Sequence, residues 1–252
     1  MRTSLRGCTL SNMNIILFAL FLAAATSTDF IQAVRDQDVA KVESMLEADP
    51  SLANAHTEKG RSVTLVALMT LVNKESFLLP ANNRVLQAIL ARHPRLDVWE
   101  TAVLGTPAQL SAMLKPGEVN AMTDYGWTLL HLAAFGGNAP NVKLLLDRGA
   151  DLRIRAKTKF RNTPFMVAML TRDAATVTLL LDRGADILDR QAEGDTALHE
   201  AAATGDFPMV KMLVERGSDL NARDDEGKSA LDYAIERKHD EIAEFLRSKS
   251  GK

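Results

Sequence analysis

Four segments of this chain repeat one another at a nearly constant interval, and that periodicity limits the fold more than any other feature. Thr128-Leu129-Leu130-His131, Thr163-Pro164-Phe165-Met166, Thr196-Ala197-Leu198-His199 and Ser229-Ala230-Leu231-Asp232 recur at spacings of 35, 33 and 33 residues. The first three are each followed 21 residues later by Gly149-Ala150-Asp151, Gly184-Ala185-Asp186 or Gly217-Ser218-Asp219. A period near 33 residues specifies stacked supersecondary units, none of which can bury its own apolar face, so the sequence predicts a solenoid. Thr or Ser opens the first helix of each unit, because its hydroxyl accepts from the free amides of the first turn. Pro164 sits one residue further on, where a missing N–H costs nothing. Ala133, Ala168, Ala201 and Ala234 each fall five residues after a cap, and a residue that small lets neighbouring helices approach closely. A second helix carries the apolar triplets Leu144-Leu145-Leu146, Leu179-Leu180-Leu181 and Met212-Leu213-Val214. Gly149, Gly184 and Gly217 then end it in the left-handed conformation that glycine adopts most cheaply.

At Gly126-Trp127-Thr128-Leu129-Leu130-His131-Leu132-Ala133-Ala134, and again at Gly194-Asp195-Thr196-Ala197-Leu198-His199-Glu200-Ala201-Ala202, the chain resembles an ankyrin repeat protein. The resemblance covers residues 124–247 at the level of motif. It implies an all-α solenoid of antiparallel helix pairs in an L-shaped stack, with β-hairpin fingers along one edge. Thr128, His131, Thr163, Pro164, Thr196, His199, Gly149, Gly184 and Gly217 are then structural motif residues, and the family uses imidazoles such as His131 and His199 to tie helix starts to neighbouring hairpins.

Upstream the pattern weakens. Gly105 and Gly117 stand 12 apart, like Gly137 and Gly149, so Val98 to Asn120 reads as a repeat. Phe30 to Ala55 reads as an opening repeat, with Val39, Val42 and Leu46 on one helical face and Asp49-Pro50 as its stop. Gly60-Arg61-Ser62 starts another, with Ala67 at the alanine position, but its triplet Ala88-Ile89-Leu90 arrives about ten residues late, which implies an insertion at 73–82. The expected organisation is a repeat domain over 29–248 with about seven repeats, degenerate over 29–123 and clear over 124–248, followed by a disordered tail at 249–252.

Residues 1–28 differ in kind. Arg2 and Arg6 are the only charges before Asp29, and Ile15 to Ala25 is an apolar run of 11 ending in Ala23-Ala24-Ala25. That layout predicts a signal peptide cleaved near Ala25, hence an exported protein, periplasmic or secreted, of a bacterium. A stable membrane anchor would need about 20 apolar residues. The single cysteine, Cys8, precedes the run, so the mature chain would have no thiol for a disulfide, nucleophile or metal ligand. Its charge would be −4, from 28 basic and 32 acidic residues, which does not suit a nucleic-acid binder.

The five histidines, His56, His93, His131, His199 and His239, have no partners at ligand spacing. Gly227-Lys228-Ser229 imitates the end of a phosphate loop, but Ala222 stands where the earlier glycine belongs, and Asp224, Asp225 and Glu226 would repel phosphate. No catalytic residue, cofactor or metal is expected, and the sequence favours a non-enzymatic protein-binding module. A secreted effector acting on a host protein, or an accessory or immunity partner of an envelope enzyme or toxin, remains open.

A candidate partner surface lies where one repeat departs from the pattern. The hairpin from Gly149 to Thr163 is two residues longer than the next two, and Arg161 replaces its turn glycine. Arg153, Arg155, Lys157, Lys159 and Arg161 fall on alternate positions with no acid among them, so an extended arm would project them to one side. Tyr125, Trp127, Phe135 and Phe160 gather on or beside this finger. These residues predict a monomer that captures a protein partner of mainly acidic surface, using the fingers and the concave face.

Overall fold

A computed structural model of the chain describes residues 26–70, 83–124 and 126–250. The leader's apolar run, the insertion expected at 73–82 with its Phe77-Leu78-Leu79-Pro80, and Tyr125 lie outside the described residues. The chain divides into two compact units, residues 1–95 and 96–252.

In the first unit, α1 (residues 26–35) buries Phe30, Ile31, Ala33 and Val34. Gln37 takes a left-handed φ of 57° after it, and Asp38 then caps α2 (Val39–Ala48) by accepting from the Lys41 amide at 3.0 Å. Val42 and Leu46 are buried and Val39 is half-buried, as one helical face requires. Asp49 and Pro50 end α2 and open a 3-10 turn over Pro50–Asn54. A short finger closed by a bridge between His56 and Ser62 leads into α3 (Val63–Thr70), whose Ala67 is fully buried. Asn83 caps α4 (Arg84–Leu90), which buries Val85, Leu86 and Ile89 against α2 and α3.

The second unit repeats one plan in two layers. Its inner row is α5 (Val98–Leu104), α7 (Leu129–Phe135), α9 (Pro164–Thr171), α11 (Ala197–Thr204) and α13 (Ala230–Glu236), each packed on the next. Each inner helix has an outer partner, in order α6 (Pro107–Met113), α8 (Ala139–Asp147), α10 (Ala174–Asp182), α12 (Phe207–Glu215) and α14 (Asp240–Ser250). The four repeated alanines sit in the inner row at 0–1% exposure, so helix backbones pack there with no side chain to spare room for. Thr128, Thr163, Thr196 and Ser229 are the N-cap residues of α7, α9, α11 and α13.

Gly149, Gly184 and Gly217 take φ of 87°, 92° and 92° just past the outer helices. The Ala150 amide reaches back to the Leu145 carbonyl at 2.9 Å and the Gly149 amide to Leu146 at 3.0 Å, the paired bonds of a Schellman cap. α14 continues to Ser250, two residues into the stretch expected to be a tail, because Ile242, Ala243 and Leu246 anchor its apolar side.

Candidate binding face: the fingers and inner helices

Between outer and inner helices the backbone runs out into fingers. Those of the second unit are closed by bridges between Met122 and Thr128, Arg190 and Thr196, and Arg223 and Ser229. The long finger at 152–161 has no such bridge; instead the Ala156 amide donates to Asn162 O at 2.8 Å, and Arg161 supplies the left-handed turn residue at φ 52°. Adjacent fingers are stitched through the backbone. Lys157 N donates to Gly126 O at 2.9 Å, Ala192 N to Phe160 O at 3.1 Å and Asp225 N to Glu193 O at 3.1 Å. The approach at Gly126 is close enough that an added Cβ would lie 2.9 Å from the Lys157 backbone, which is why glycine is needed there.

Arginines reinforce the stitching. Arg155 Nη1 donates to Arg161 O at 3.0 Å and to Arg190 O at 2.9 Å, while Nη2 pairs with Asp189. Arg190 Nη1 donates to Gly194 O at 2.9 Å and Arg223 O at 2.7 Å, and Arg223 to its own Gly227 O at 2.6 Å. Arg155, Arg190 and Arg223 are 35 and 33 residues apart, the intervals of the caps themselves, and that recurrence was the sequence signal of a structural role.

The histidines do what the motif implies. His131 Nδ1 accepts from the Thr128 amide at 3.3 Å and lies 2.7 Å from its hydroxyl, so Nε2 carries the proton toward Asn162 O at 3.0 Å in the next finger. His199 repeats this with Thr196 and Lys228 O. Where Met166 replaces the histidine, the Thr163 hydroxyl instead donates to Asp189 at 2.7 Å, so Asp189 and its partner Arg155 substitute for the missing imidazole. Burial lowers the His131 pKa to about 4, partly opposed by its bond to Asn162.

The residues expected to form one partner surface separate into two groups. Phe135 is 4% exposed, and Trp127 packs edge-on against it with ring centres 5.7 Å apart, so these aromatics anchor the finger root. Arg155 is engaged internally, and Arg153 folds back on Asp151 at 3.1 Å. The finger is not an extended arm: bends and turns at 157–160 break the alternation that would have aligned five cations on one side. Arg153 stays exposed despite its contact with Asp151, and Lys157, Lys159 and Arg161 are exposed around Phe160, with Lys159 Nζ 4.5 Å from the Phe160 ring centre. Among the described residues none of these three cations forms an ion pair.

The other end of the inner row is acidic. The Tyr233 hydroxyl donates to Asp224 at 2.7 Å, with Asp195 and Glu200 close by. Lost hydration raises the Asp195 and Glu200 pKa values, and each is raised further by a neighbouring carboxylate. Among the described residues no group of three or more His, Cys, Asp or Glu could hold a metal ion, and no helix is long and apolar enough to cross a membrane.

Family models described as ankyrin repeats match residues 101–191 (three copies) and 180–234 (many copies). The chain belongs to the ankyrin repeat family. The matches span most of the second unit, where the caps, stitched fingers and packed alanines of ankyrin repeats are all in place. A search of curated proteins returned no match. Ankyrin repeats are in general protein-binding modules, typically without catalysis of their own.

Proposed function

We propose that this ankyrin repeat protein is an exported, non-enzymatic module that captures a protein partner through the tip of its long finger. The unpaired cations Lys157, Lys159 and Arg161 around the exposed Phe160 carry this reading, because they offer charge and an apolar contact at one point. The partner's complementary surface is acidic with an apolar residue at its centre. Backbone bonds at Lys157 and Phe160 and the Arg155 clamp hold the finger before the partner arrives, so little ordering entropy is lost on binding.

The basic start, short apolar run and triple alanine of the leader support export. Amino-terminal sequencing of the chain recovered outside the cytoplasm should begin just after Ala25, and retention of Met1 would refute processing. With the mature chain as bait in a cross-linked pull-down, Lys157→Glu with Lys159→Glu should lower partner recovery about tenfold. Helicity and melting should stay as they were, since neither side chain makes a stabilising ion pair. Equal recovery by the double variant would eliminate this surface.

A further inference from the structure

The first unit carries a cavity of about 530 Å³, within the range of ligand clefts. It opens between α1, the finger at 55–62 and the side of α3 that carries Val66, Met69 and Thr70, the same finger-and-inner-helix setting that holds Trp127 in the second unit. Arg61 occupies the position after the turn glycine that Trp127 occupies there. Ile31, Val66 and Met69 supply apolar lining, and Thr57 and Thr70 add hydroxyls at its edge. Among the described lining residues, Arg35, Lys59 and Arg61 are basic and Glu58 is acidic. Arg35 and Lys59 are exposed, and among the described residues neither forms an ion pair.

We infer that this cavity is a second binding site, which takes a short acidic segment of a protein chain with an apolar side chain seated on Ile31, Val66 and Met69 and carboxylates on Arg35 and Lys59. The charge excess selects an anion, and the apolar lining selects against a bare inorganic one, which could not use it. This rests on the protein-binding reading above but not on the long finger, whose residues lie in the other unit.

Fluorescence anisotropy with a labelled Glu-Leu-Glu-Leu-Glu peptide and the full-length protein tests it. The peptide should bind saturably, and the same peptide with lysine in place of glutamate should not. Arg35→Glu with Lys59→Glu should weaken binding about tenfold, whereas Lys41→Glu with Arg92→Glu, at exposed cations outside the cavity, should leave it unchanged. Both pairs of side chains are exposed, so unchanged circular dichroism is expected for each variant. Absence of saturable binding, including through occupation of the cavity by another part of this chain, overturns the inference, as does equal binding by the Arg35/Lys59 variant. Loss of binding in the Lys157→Glu, Lys159→Glu finger variant alone would assign the peptide to the long finger and likewise overturn it. Failure of the finger as partner site would instead show as unchanged partner capture with peptide binding intact.

Discussion

Lowering the pH from 7.5 to 4 is expected to remove about 3 kcal/mol of stability through His131 alone. In the folded chain the ring is fully buried and needs Nδ1 free of a proton to accept from Thr128, so burial holds its pKa at about 4. In the unfolded chain it titrates near the ordinary value of 6.5. Between those values the unfolded state binds the extra proton, so the contribution is complete above 6.5 and declines as pH falls toward 4. Asp195 and Glu200 act in the opposite sense: their raised values mean that folding gains as they protonate on acidification. They are present equally in a His131→Gln variant, so the difference between the two proteins isolates the imidazole. Urea unfolding across this range should show wild type losing the larger amount, and parallel pH profiles would contradict the assignment.

Asn141→Leu is expected to destabilise the second unit by about 3 kcal/mol. Inner helices normally end in a left-handed residue that lets the chain fold back on its last carbonyls, as Gly137, Gly205 and Lys238 do at φ 61°, 74° and 61°. α5 cannot, because Gly105 is extended at φ −85°. Its carbonyls are met from the next repeat. Asn141 Nδ2 donates to Thr101 O at 2.9 Å, Gly105 O at 3.0 Å and Ala102 O at 3.1 Å, and Asn138 Nδ2 to Gly105 O at 2.9 Å. Leucine has a similar volume but no donor, so it would leave the buried Ala102 carbonyl unpaired and reduce Thr101 O and Gly105 O to the Gly105 amide and Asn138 Nδ2 alone. Asn141→Asp, with acceptors only, should be at least as damaging. Equilibrium urea unfolding should show a lower midpoint for both, and a loss under about 1 kcal/mol for the leucine variant would mean that water or the backbone replaces the amide.

The second unit was readable from sequence because its caps, small residues and glycines answer local demands that recur with each repeat. Thr163 and Pro164 could be placed without knowing any neighbour. Residues that act across a repeat boundary were harder to place. Arg155 looked like one of five surface cations, yet it holds Asp189, a carbonyl of its own finger and a carbonyl of the next. Asp189, from the next finger, takes the hydroxyl that a histidine would have taken had Met166 not stood there. Phe135 was grouped with the surface aromatics because its chain position adjoins the finger, although it is buried.

What the sequence determined by itself was the period, the helix starts and stops, and the family that follows from them, since those depend on residues within a few positions of one another. Only the tertiary structure decided which charges remain available to a partner. Finger backbones from separate repeats meet within hydrogen-bonding distance, and the Arg155 guanidinium is drawn inward to their carbonyls, while Lys157, Lys159 and Arg161 stay in solvent. Charge is written in the chain, but its neutralisation depends on which repeat comes to lie beside it.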